Sequence, residues 1–246
     1  MNMRNRSPLA IALFVLLLGA GCQSKTTAPS ESTVGTKTSE APAGTDVAKR
    51  NNALVRLVNA RTDQVDVYFG DVKAFAEVDG QKITPYSELP AERHDLKVLP
   101  TGKAPVTPTV ATNSEGLSEG MHYTVVAFTK KDGTPGVTLF KDELTSPSNG
   151  KARVRVINVA AGVEEVDVYP AGQKDTLAKG VNFNSATGYT EVDPSIKTVE
   201  IHRSGDKQVA ASIPDLALSA GKTYTLFVLN EANALKVIPV EDQLLG

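Results

Sequence analysis

The chain has 246 residues, 41% of them hydrophobic, with no tryptophan and 5% aromatic residues, so its cores must come mainly from Val, Leu, Ile and Ala, a composition that favours strands. The 26 basic and 28 acidic residues give a formal charge of -2, which offers no basic footprint for nucleic acid. A single cysteine, Cys22, excludes an intramolecular disulfide and a cysteine-built metal site.

In chain order, Arg4 and Arg6 precede an apolar run from Leu9 to Leu18, and Gly19-Ala20-Gly21 leads directly into Cys22. A basic start, an apolar centre and a small-residue junction are the parts of an export signal, here residues 1–21, and the run is too short to span a bilayer comfortably. A cysteine at this junction resembles the bacterial lipobox. The resemblance implies that Cys22 carries diacylglycerol, that the leader is cleaved before it, and that the new N-terminus is acylated by a palmitate-type chain. Gly19 departs from the leucine usual three residues before the cysteine, with Leu18 one step further back. Gln23, rather than Asp, then implies outer-membrane sorting if the source is Gram-negative. The expected attachment is therefore to the membrane, through lipid on Cys22.

Residues 22–52 are rich in Ser, Thr, Ala, Gly and Pro and lack apolar periodicity, so they bury too little surface to offset ordering entropy. They read as a flexible tether with a reach of roughly 30 Å.

Two similar segments follow, predicted as domains at 53–145 and 151–246. Val55-Arg56-Leu57-Val58-Asn59 returns as Val154-Arg155-Val156-Ile157-Asn158, and Val65-Asp66-Val67-Tyr68 returns as Val166-Asp167-Val168-Tyr169. Apolar and polar residues alternate, the period of a half-buried strand, which puts Val55 and Leu57 inward and Arg56 outward. On that phase Arg56 with Asp66, and Arg155 with Asp167, are expected as exposed cross-strand pairs within each hairpin, the alternative being a paired recognition site that uses Asp66 and Asp167. Asp142-Glu143-Leu144 and Asp242-Gln243-Leu244 close the two copies alike.

Leu117-Ser118-Glu119-Gly120-Met121-His122-Tyr123 recurs as Leu218-Ser219-Ala220-Gly221-Lys222-Thr223-Tyr224. The spacing resembles a tyrosine corner, in which glycine makes the turn and the phenol bonds back to the backbone, here expected as donor. With Tyr86-Ser87-Glu88 and Tyr189-Thr190-Glu191 between, both copies resemble the bacterial domain-of-unknown-function 4397 family. That resemblance implies an all-β chain of two tandem immunoglobulin-like, Greek-key β-sandwich domains in an exported, envelope-associated protein, with no catalytic residues. Asn59-Ala60 and Asn158-Val159 stand where many members have a His-Ala-Ser-Pro-type turn.

No motif for nucleophilic catalysis, phosphate cradling or an EF-hand is present. His94, His122 and His202 do not coincide between copies and read as solvated histidines rather than zinc ligands. Glu119, Asp142, Glu143, Asp206 and Asp242 are candidates for a loop calcium site, against the plainer reading of a solvated surface. Tyr86 and Tyr189 are candidates for stacking on a sugar. The expected function is a non-enzymatic binding, adhesion or structural module without cofactor or metal. The alternative is a receptor for a small molecule or carbohydrate, between the repeats or at their loops.

Overall fold

The described residues fold as nineteen strands with turns and loops between them in the computed structural model, which describes residues 51–103, 110–111, 115–173, 175–231 and 234–242. The predicted signal peptide, Cys22 and all but the last two residues of the predicted tether lie outside the described residues. No helix among the described residues is long and apolar enough to cross a membrane.

The first repeat contains β1 (Asn52–Asn59), β2 (Val65–Phe69), β3 (Val72–Val78), β4 (Ser87–Pro90), β5 (Arg93–His94), β6 (Leu96–Pro100), β7 (Val110–Ala111), β8 (Glu115–Gly116), β9 (His122–Thr129) and β10 (Pro135–Asp142). The second contains β11 (Ala152–Asn158), β12 (Glu165–Pro170), β13 (Ala178–Asn182), β14 (Ser185–Ala186), β15 (Thr190–Val192), β16 (Val199–Arg203), β17 (Val209–Ile213), β18 (Thr223–Glu231) and β19 (Ala234–Asp242). Each repeat is a sandwich of two sheets. In the first, the orders are β10-β9-β1-β4 and β3-β2-β6-β7, with β5 and β8 paired apart. In the second they are β14-β11-β18-β19, with β15 also on β11, and β13-β12-β16-β17.

The opening strand of each repeat is central, not an edge. β1 lies antiparallel to β4 but parallel to β9, placing Arg56 opposite Thr124. β11 likewise lies parallel to β18, placing Arg155 opposite Thr225. Val55, Leu57, Val65, Val67, Tyr123 and Val125 fill the first sandwich, and Val154, Val156, Val166, Val168, Tyr224 and Leu226 fill the second.

A third core forms from the opposite strand faces. Val58, Val126 and Phe128 of the first repeat meet Ile157, Phe227 and Leu229 of the second, so one sheet of each sandwich is covered on both sides. The expected half-buried pattern is corrected here: β1 and β9 are buried along almost their whole length, as strands buried on both faces must be. Arg56 points out of its own sandwich yet is only 2% exposed.

Two framework positions explain residues repeated in the sequence. Asn59 donates through Nδ2 to the carbonyls of Asp63, Val78 and Asp79 and accepts the Arg61 N–H, while Asn158 donates to the Val181 carbonyl and accepts the Ala160 N–H. The buried amide thus ties down the turn that leaves each first strand. At the corners, Tyr123 and Tyr224 bond back five residues, but each phenol oxygen accepts the N–H of Ser118 or Ser219 at 3.1 Å. The expected donor role is therefore reversed.

Candidate functional site at the junction of the repeats

Arg56 and Arg155 each sit mid-strand on the face that meets the other repeat. Arg56 donates from Nε to Thr124 Oγ1 at 2.9 Å, across its own sheet, and from Nη2 to Asp242 Oδ1 at 2.5 Å in the other repeat. Arg155 mirrors this, with Nε to Thr225 Oγ1 at 2.8 Å and Nη2 to Asp142. Each carboxylate is held by its own repeat. Asp142 accepts Thr124 at 2.8 Å and the Tyr86 hydroxyl at 2.7 Å, and Asp242 accepts Thr225 at 2.6 Å and the Tyr189 hydroxyl at 2.9 Å.

The tyrosine rings complete the cage. Arg56 lies over Tyr86 with its guanidinium carbon 4.9 Å from the ring centroid, and Arg155 lies over Tyr189 at 4.7 Å. Both ion-pair carboxylates are wholly buried and both arginine side chains nearly so, a setting in which charges persist only when paired and hydrogen-bonded. Burial acts to lower the Arg56 pKa, but Asp242, Tyr86 and Asp142 outweigh it and hold the value above the ordinary one. Burial, with Asp142 and Asp242, raises the Tyr86 phenol far above its usual range against the pull of Arg56. Tyr189 is raised in the same way, burial first, against Arg155.

This geometry corrects the expected pairing of Arg56 with Asp66 and of Arg155 with Asp167. Asp66 instead accepts Lys73 Nζ and the Glu77 N–H, each at 2.8 Å, and Asp167 accepts the Gly180 N–H at 2.8 Å. Glu77 and Gly180 both have left-handed backbones, φ 52° and 65°, and both lie at irregularities in the pairing of the second and third strands of their repeats. Each Asp therefore fastens a bulge rather than an arginine.

The candidate metal residues do not converge. Asp142 and Asp242 are buried with the arginines, whereas Glu119, Glu143 and Asp206 are exposed; among the described residues no group of three or more His, Cys, Asp or Glu is placed to hold a metal. His94 is not solvated: it is buried, with Nε2 2.9 Å from the Pro90 carbonyl and its ring edge-on to Phe69. His122 packs edge-on against Tyr86, and burial lowers its pKa, outweighing Asp142. His202 stacks edge-on with Tyr169. The hydroxyls of Tyr86 and Tyr189 are engaged by carboxylates, and their ring faces by arginines.

Sequence reasoning passed over Thr124 and Thr225, although the Tyr-Thr pair repeats in both copies. A polar residue repeated inside an otherwise apolar strand was the available signal. One groove adjoins this framework and another lies away from it. One, of about 390 Å³, lies at the junction and is lined by Arg56, Ile83, Pro85, Tyr86 and Val240. Another, of about 360 Å³, lies on the outer sheet of the second repeat beside Tyr169, Gln173, Glu200, His202 and Lys207.

No curated protein matches the chain. Among solved structures, the C-terminal domain of AlgF from P. aeruginosa aligns at 22% identity over 38% of this chain and 99% of that one, with a TM-score of 0.30. A family CBM26 module from Eubacterium rectale Amy13K, crystallised with maltoheptaose, aligns at 12% identity over 78% of this chain and 97% of that one, with a TM-score of 0.26. Both scores are too low to bear on fold or ligand. The model of a domain of unknown function, DUF4397, matches residues 53–169 and again 161–245, and the chain belongs to that family.

Proposed function

We propose that this protein is a non-enzymatic binding or structural module, held at the cell envelope by lipid on Cys22 and displaying its two sandwiches as a single rigid head. One observation carries the reading. Arg56, Arg155, Asp142 and Asp242, which repeat between copies and would be early suspects for chemistry, are buried and bonded to one another across the junction. Such groups set the geometry of a surface rather than act on a substrate. The leader and Cys22 supply the address, since several acyl chains on one residue hold a protein stably at a membrane where a single chain does not.

Cell fractionation with mass spectrometry of the mature N-terminus tests the anchor. Wild type should start at an acylated Cys22 and stay with membranes, while Cys22→Ser should lose the lipid and leave the membrane fraction. A wild-type chain that begins elsewhere without lipid contradicts the reading. Cross-linking in the native envelope should then recover a discrete partner.

The receptor reading is favoured by the groove on the second repeat. Tyr169 presents a partly exposed ring among Glu200, His202, Gln173 and Lys207, the mixture of flat apolar surface and hydrogen-bonding groups that small polar ligands use. In the first repeat the corresponding Tyr68 is buried and carries Lys73 over its ring at 5.5 Å. Titration with soluble oligosaccharides, following Tyr169, should show saturable binding that Tyr169→Ala abolishes.

A further inference from the structure

The two halves of the junction differ at one residue of the strand that precedes each buried threonine. In the first half it is His122, opposite Leu54 on β1 and Asp142 on β10; in the second it is Thr223, opposite Arg153 on β11 and Asp242 on β19. His122 lies edge-on to Tyr86 with ring centroids 5.3 Å apart, while Arg56 covers the same phenol at 4.9 Å. The His122 Nε2 atom is enclosed and has no hydrogen-bond partner among the described residues.

A proton on this ring meets a poor setting. Asp142, the carboxylate that acts on it, already accepts from Thr124, Tyr86 and Arg155, and the Arg56 guanidinium opposes a further positive charge. Asp242 is paired with Arg56, and Glu88, across Leu54 on β4, accepts from Asn52 Nδ2 at 2.9 Å. Burial is the largest influence on the imidazole and, with Arg56, outweighs Asp142, so the ring stays neutral to below its ordinary value of 6.5. The second half does hold two cations at its phenol, Arg155 and Arg153, but Arg153 Nη1 donates to the carbonyls of Glu143 and Thr145. An enclosed nitrogen that gains a charge without such an acceptor is costly.

We propose that His122 is an acid-sensing residue of the junction: on taking up a proton it leaves the edge of Tyr86 for solvent, and the segment carrying Tyr86 loosens from β1. The ring is only half-buried, so water lies close to it. The closed junction holds His122 neutral, whereas the loosened one lets it titrate near the ordinary 6.5. Below that pH the loosened form therefore binds more protons, and acid favours it by up to about tenfold per pH unit. The window lies above the range in which ordinary carboxylates titrate. This pH response goes beyond the binding or structural role and depends on neither the lipid nor a ligand.

Hydrogen exchange of the purified protein, followed residue by residue by nuclear magnetic resonance between about pH 7 and 5 and corrected for intrinsic rates, tests it. The two halves carry matching reporters: the Thr84 N–H donates to the Leu57 carbonyl at 2.9 Å, and the Thr187 N–H to the Val156 carbonyl at 2.9 Å. Protection of Thr84 should fall at least about threefold over that range while protection of Thr187 holds. His122→Thr, which gives the first half the residue of the second, should make Thr84 behave like Thr187, and His122→Gln, polar but unable to titrate, should do the same. In the wild type the His122 Cε1–H signal should titrate with a midpoint below 6.5. A midpoint at or above that value, equal loss of protection in both halves, or a wild-type response in the two variants overturns the proposal.

Discussion

Arg56 and Asp242 stand 186 positions apart and meet at 2.5 Å with almost no solvent contact. Asp242 is positioned by Thr225 and Tyr189 of its own repeat and neutralised by an arginine of the other, and Asp142 with Arg155 repeats the arrangement in reverse. This is the self-complementary logic of a two-fold dimer interface, enclosed in one chain. Sequence separation is so large that neither partner has a local reason to find the other. The third hydrophobic core must bring them together.

The two buried phenols predict an alkaline limit to stability. Tyr86 and Tyr189 are raised from an ordinary value of 10.0, burial being the largest cause for each. Above about pH 10 the unfolded chain releases these protons while the folded chain keeps them, so the native state binds more protons and stability falls as pH rises. The expected slope is about 1.4 kcal/mol per pH unit for each such tyrosine. Urea unfolding across that range should show a shallower slope, by about one proton, in Tyr86→Phe than in wild type.

The corner tyrosines predict a different result. Removing the oxygen of Tyr123 or Tyr224 leaves the Ser118 or Ser219 N–H without its acceptor. Tyr123→Phe and Tyr224→Phe should each cost about 1 kcal/mol, or more where water cannot reach the freed donor. Thermal melts of both variants check this, and unchanged melting would remove the corner as a stabilising element.

Backbone conformation makes the third prediction. Gly180 has φ 65°, and an added Cβ would lie 3.1 Å from Glu165 Oε1, whereas Glu77 occupies the matching place in the first repeat at φ 52°. Gly180→Ala should destabilise by about 1–2 kcal/mol, while Glu77→Gly should be close to neutral, because relief of left-handed strain offsets the gain in unfolded-state entropy. Differential scanning calorimetry of the two variants separates them.

Much of the fold was legible in the alternation of the strands, because period two shows which residues share a face. Val55 and Leu57 do face inward, and Arg56 does leave its sandwich. Alternation does not reveal what lies over the outer face, and an arginine looks the same against water or against a second domain. The neighbours were informative: Leu54 and Val58 flank Arg56 on its own face, and Phe227 and Leu229 continue the face that begins at Thr225. An outer face carrying that much apolar surface needs a cover. The partners of Arg56 were harder to read, because the Asp that neutralises it belongs to the last strand of the other repeat, and the nearby Asp66 offered a closer match in sequence.

The most direct measurement of the swapped network is a pair of double-mutant cycles in urea, one on Arg56→Met with Asp242→Leu and one on Arg56→Met with Asp66→Leu. Removing Arg56 alone should cost about 3–5 kcal/mol, because Asp242 is left buried and unpaired. Removing both should recover part of that loss, giving a coupling of about 1.5–3 kcal/mol with Asp242, and no more than about 0.5 kcal/mol with Asp66. Additive effects for Arg56 and Asp242, together with strong coupling between Arg56 and Asp66, would contradict the account.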